Sequence, residues 1–151
     1  MVRNILLSWL ICLSIVLNTS GALAEEAIGS ITTIKGDTLV ERSGSNLQAN
    51  VGMLLYPSDT VKTAENGALG LVMHDDTLIS MGPGSVLVLK EYQFAPAESR
   101  YRMILGFMKG TFVYISGEIG KLSPEAIRLE TSESTIAVRG TQLLVKVNEG
   151  R

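Results

Sequence analysis

Apolar residues run along this chain in two textures. From Ile5 to Leu17 they are almost unbroken, whereas from Glu25 onward they form short alternating or short continuous runs, each closed by Gly, Pro, Asn or Asp. Period-two alternation bounded by turn residues is the pattern of half-buried β-strands. The second region nowhere carries the three-to-four periodicity of an amphipathic helix. The pattern predicts an all-β domain of many short strands, antiparallel and solenoid-like or sandwich-like, with little helix.

The strands can be read off in order. Ala27–Ile34 ends at Lys35-Gly36-Asp37, and Thr38–Glu41 resumes extended until Ser43-Gly44-Ser45, so these two are expected to form a hairpin. Val51–Tyr56 precedes the turn Pro57-Ser58-Asp59, and Thr60–Thr63 follows it. Asn66-Gly67 is the strongest short-range signal, because a type I′ turn needs positive φ at both central positions. Val61–Thr63 and Ala68–Met73 are expected to pair across it. Asp75-Asp76 turns the chain before Thr77–Met81, and Gly82-Pro83-Gly84 breaks it ahead of Val86–Glu91. Phe94–Arg102 is the one place for a short helix or open loop, with Ala95-Pro96-Ala97-Glu98 as its start. Met103–Phe107 and Gly110–Ile115 are expected as two buried strands around Lys109-Gly110, closed by Gly117–Gly120; Ile127–Glu130, Thr135–Val138 and Gln142–Val147 complete the set. An internal echo of strand, polar turn, strand links Val61–Ser80 with Ile127–Val145, but its register is too poor for a repeat.

The apolar run near the start changes the picture of location. Arg3, the 13 residues Ile5–Leu17 and Ala22-Leu23-Ala24 form the n-region, h-region and A-x-A site of an export signal spanning residues 1–24, cleaved or kept as an anchor. That run is shorter than the roughly 20 residues that cross a bilayer as a helix. Cys12 lies inside it, behind Trp9-Leu10-Ile11, which are too bulky for lipoprotein processing. The mature chain of residues 25–151 therefore has no cysteine, and its stability must come from a hydrophobic core. Removing Arg3 leaves 12 basic and 15 acidic residues, a net charge of −3. That balance argues against a nucleic-acid partner, which needs a basic stripe. It also leaves no basic amphipathic helix for a lipid surface.

Few residues offer chemistry. His74 is the only histidine, and beside Asp75 and Asp76 it is either a carboxylate-oriented base or weak metal site, or a solvated turn residue, the reading favoured here. Asp75-Asp76-Thr77 lacks the spacing of a calcium loop and reads as a turn. Glu130 and Glu133 stand three apart with nothing visible to set them to glycoside chemistry. Gly82-Pro83-Gly84-Ser85 has no lysine or following helix and is a turn, not a phosphate cradle. Arg139, after Ile136-Ala137-Val138 and before Gly140-Thr141, is expected to fork onto a carboxylate or strand-end carbonyls rather than to recognise a ligand. Tyr56, Phe94, Tyr101, Phe107, Phe112 and Tyr114 are too dispersed for a sugar-stacking platform. No cofactor or metal site is expected.

Gly52, then Asp59-Thr60-Val61-Lys62-Thr63, Gly67-Ala68-Leu69-Gly70-Leu71, Asp75-Asp76-Thr77 through Gly82-Pro83-Gly84-Ser85, and Thr135-Ile136-Ala137-Val138-Arg139-Gly140-Thr141 together resemble the FecR domain. The likeness covers about Ile28 to Val147. Asp76 departs from the usual glycine before Thr77. The resemblance implies an extracytoplasmic β-rich module without catalytic residues. It also marks Asp59, Thr60, Thr63, Gly67, Asp75, Thr77, Gly82, Arg139, Gly140 and Thr141 as family-motif positions with structural roles. The best-known members are transmembrane regulators with a cytoplasmic anti-sigma segment. Only four residues precede the apolar stretch here, so no such segment is expected, and iron regulation is not carried over.

The sequence thus predicts a non-enzymatic periplasmic or secreted module that docks an envelope protein or glycan through a strand edge or a solenoid face. The alternative is a self-associating assembly component, a homo-oligomer of the envelope.

Overall fold

The computed structural model describes residues 25–138 and 140–148; the expected export signal and Arg139 lie outside them. Twelve strands carry the fold: β1 (Gly29–Lys35), β2 (Thr38–Arg42), β3 (Ser45–Gln48), β4 (Leu54–Leu55), β5 (Thr60–Thr63), β6 (Ala68–Met73), β7 (Leu78–Met81), β8 (Val86–Ala95), β9 (Arg100–Ile115), β10 (Ile127–Glu130), β11 (Thr135–Ala137) and β12 (Gln142–Val147). One short helix, α1 (Glu118–Leu122), follows β9. The domain is all-β, as its patterning predicts.

The strands form two layers joined by β9. The first runs β4-β1-β6-β7-β9-β12, using the C-terminal half of β9. The second runs β3-β2-β5-β8-β9-β10-β11, using its N-terminal half. Every pairing is antiparallel except β9 with β10. Alternation along each strand sends one set of side chains between the layers. Val40, Val61, Leu87, Leu105 and Phe107 enter from the second layer, and Leu55, Leu71, Ile79, Phe112 and Tyr114 from the first. Phe107 and Phe112, on either side of the crossing, pack at 4.5 Å between ring centroids.

Four chain crossings gather at one end. β1 passes to β2 through Gly36-Asp37, β5 to β6 through Ala64–Gly67, and β7 to β8 through Gly82-Pro83-Gly84, while β9 crosses at Gly110 without leaving the strand. Backbone bonds stitch the corners together: Ala64 donates to Asp37 at 2.9 Å, and Gly84 donates to Ala64 at 3.0 Å.

These corners correct several expectations. The β1–β2 hairpin does not exist, because β1 pairs with β4 and β6 while β2 pairs with β3 and β5. Nor do β5 and β6 pair across Asn66-Gly67; the Asn66 side chain bonds Asp37 instead, Nδ2 to Oδ2 at 3.1 Å. The two-residue turn with positive φ at both positions is Ser43-Gly44, φ 50° and 78°, and it closes the β2–β3 hairpin. β3 itself was not expected. Within Phe94–Arg102 the expected short helix is one 3-10 turn at Pro96–Glu98, but the residues on either side are strand, since the β8–β9 ladder continues to Ala95 and Arg100. Met103–Phe107 and Gly110–Ile115 are one strand, and Glu118–Leu122 is helical because Ile119 is driven into the core. Val51–Tyr56 contributes strand only at Leu54–Leu55. The β6–β7 hairpin at Asp75-Asp76 forms as read.

Candidate functional site

The motif residues fall into three polar clusters that tie elements together. Asp59 is buried; it accepts from Arg42 and, at 2.9 Å, from the Tyr56 backbone N–H. Thr60 stands beside it at the start of β5, opposite Val88 of β8. Arg42 also donates to the Leu54 carbonyl at 2.9 Å and lies 4.5 Å above the Tyr56 ring. One guanidinium thus clamps the β2–β3 hairpin to the chain leaving β4.

The second cluster holds the corners. Thr63 Oγ1 donates to the Gly82 carbonyl at 2.7 Å and accepts from the Ser85 N–H at 2.9 Å. Gly67 is buried in the corner beside it. The third centres on Asp75, fully buried, whose carboxylate accepts from Thr77 Oγ1 at 2.8 Å, the Tyr92 hydroxyl at 3.2 Å and the Ile119 N–H at 3.2 Å. Thr77 Oγ1 in turn accepts from the Gly117 N–H at 3.1 Å. The Asp75 knot pins the entry of α1 to the β6–β7 turn and to β8. Burial, reinforced by the neighbouring Asp75 charge, holds the Tyr92 phenol far above its ordinary pKa, and burial raises that of Tyr114.

His74 is exposed and lines a cleft of about 330 Å³ with Glu25, Glu26, Tyr92 and Phe94. Asp75 faces inward to its own partners, so it does not orient the imidazole. Glu130 pairs with Lys90 at 2.6 Å, and Glu133 lies in the β10–β11 turn. Gly140 has φ 133°, and the Thr141 carbonyl accepts from Ser116 at 2.8 Å. Among the described residues, no group of three or more His, Cys, Asp or Glu is placed to hold a metal, and no helix is long and apolar enough to cross a membrane.

Four strands, β3, β4, β11 and β12, have one strand partner each among the described residues and so leave open edges. β11 pairs only with β10, so among the described residues the backbone groups on its other side face outward. Beside it lies a groove of about 470 Å³ lined by Pro124, Ile127, Ile136 and Val138, with Glu125 and Arg128 at its margin. Arg42, Tyr92 and this groove were not singled out from sequence. The groove's only signal was the apolar Ile136-Ala137-Val138, which reads equally as core.

Buried motif residues hold the turns of an all-β domain and leave an apolar groove beside the β11 edge. The chain belongs to the FecR family: the FecR protein model matches residues 59–151, more than half its length. The match takes in Asp59, the Thr63 and Asp75 clusters and the groove, while Arg42 and Tyr56 lie before it. Membership places the domain among envelope-associated regulatory or sensory modules. No curated protein and no solved structure matches the chain.

Proposed function

We propose that this FecR-family domain is a non-enzymatic, exported module of the cell envelope that docks a protein partner by strand addition at β11. The free β11 edge beside its apolar groove carries this reading. An added strand would find backbone donors and acceptors along Thr135–Ala137 and a place for alternate side chains against Ile127, Ile136 and Val138. The groove has no aromatic lining, which favours a peptide over a glycan. Export rests on the n-region, apolar run and A-x-A site of residues 1–24.

The test is retention of envelope proteins by the purified protein and by its Val138→Lys variant. A saturable partner that the wild type holds and the variant loses supports the reading. Equal retention by both removes β11 as the docking edge, and recovery of the bait's own copies alone turns the assignment to a self-associating assembly component.

A further inference from the structure

The two layers present different outer faces. The second is laced with charge: Glu41 pairs with Lys62 at 2.5 Å, and Lys90 reaches across Gly106 to Glu130. The six strand segments of the first layer contain no Asp or Glu at all. Their register sets outward-facing residues in rows. One row runs Leu54, Ser30, Val72, Leu78, Ile115, Gln142, and the next carries Gly70, Ser80, Val113 and Leu144. Leu54, Leu78, Ile115 and Leu144 are 50, 43, 37 and 69 % exposed, so no described part of the chain covers this face. Apolar side chains in adjoining rows make a continuous patch, which soluble proteins seldom leave bare.

The ends of the same face are charged oppositely. At the β6–β7 turn stand Asp76 and Glu118, the latter paired with Lys121. At the corner end stand Lys35, Lys109 and Lys146, against Asp37 and Glu65. A two-fold axis through the middle of the face would set the apolar rows on themselves and the basic end of one copy over the acidic end of the other.

We propose that the outer face of the first layer is the seat of a second copy of this chain, packed sheet on sheet with strands running oppositely. Small residues at Ser30 and Ser80 keep the centre low enough for the stacking of two sheets, with the Thr32 and Thr33 side chains lying over Gly70. Six strand segments of two to seven residues, at about 3.3 Å per residue and about 4.8 Å between strands, give a footprint of about 500 Å² a side. That lies at the small end of specific interfaces and makes the dimer concentration-dependent. The face belongs to the layer opposite β11, so the inference does not rest on the docking role proposed for that edge.

Sedimentation of the purified protein from micromolar to submillimolar concentration tests it. The mass is expected to rise from one chain to two, and Leu78→Lys with Leu144→Lys should hold it at one chain while the thermal midpoint stays unchanged. Lys146→Glu should weaken association several-fold, whereas Lys62→Glu, the same charge change on the other layer, should leave it alone. A wild type that remains one chain throughout overturns the proposal, as does a dimer indifferent to the two lysines.

Discussion

The Arg42 guanidinium meets the Asp59 carboxylate edge to edge, Nε 2.8 Å from Oδ1 and Nη2 2.7 Å from Oδ2. Asp59 is almost wholly inaccessible while Arg42 keeps contact with water, so the carboxylate depends on this fork for most of its solvation. Arg42→Met is expected to lower stability by about 3 kcal/mol, because it strands a buried charge. Asp59→Asn, which removes the charge and keeps an acceptor, should cost about half as much. Urea unfolding of the two variants measures the difference, and equal losses would show that the fork is not what holds Asp59.

Thr38 presents the opposite case. It is buried in β2 with its hydroxyl unpartnered, on a strand where a β-branched residue already fits. Thr38→Val keeps the shape and removes the unsatisfied group, so the thermal midpoint should rise, by about 1 kcal/mol of stability.

Tyr92 and Tyr114 give the fold an alkaline limit. Both phenols are held above the ordinary value of 10 chiefly by burial. A group whose folded pKa is raised contributes stability that is fully present below its unfolded pKa and is lost as pH rises beyond it. Unfolding free energy should therefore hold level to near pH 10 and fall above it. Tyr92→Phe with Tyr114→Phe should lessen that fall while lowering stability at neutral pH through the lost hydrogen bond to Asp75. Urea midpoints measured at neutral and alkaline pH give both quantities.

Local chemistry made the strands legible and left their partners hidden. Ser43-Gly44 and Asn66-Gly67 are both good turn dipeptides, but only the first joins paired strands. The second is a corner, because Asn66 finds Asp37 of another corner, 29 residues away. Nothing within a few residues of Asn66 encodes that encounter. The candidate site was unevenly legible for the same reason. Asp59, Thr63, Asp75, Thr77 and Ser85 stood out as a motif, yet the partners Arg42 and Tyr92 are distant in sequence and carry no pattern of their own.

Asp76 has φ 62°, in the left-handed region that glycine enters most freely. Aspartate enters that region more readily than most residues, though at some strain. Asp76→Gly should be neutral or stabilising by up to about 1 kcal/mol, the relief of strain being offset by the freedom of glycine in the unfolded chain. Asp76→Val should lose more than about 1 kcal/mol, since a β-branched residue has no easy place there. Thermal unfolding of the pair decides, and a stable valine variant would mean that the turn can rearrange.

Gly110 and Gly140 separate two reasons for glycine. Both have positive φ, 102° and 133°. A Cβ on Gly140 would meet nothing within 4 Å, whereas one on Gly110 would lie 2.6 Å from the Ser85 Cα, inside the corner that carries β9 between layers. Gly140→Val should therefore carry backbone strain alone, on the order of 1–3 kcal/mol. Gly110→Ala adds a clash with backbone that cannot give way without parting β9 from the Thr63–Ser85 pair. It should cost more than Gly140→Val, although the side chain it introduces is smaller. Denaturant unfolding of both variants ranks them, and the reverse order would show that β9 does not need its bend at Gly110 to join the layers.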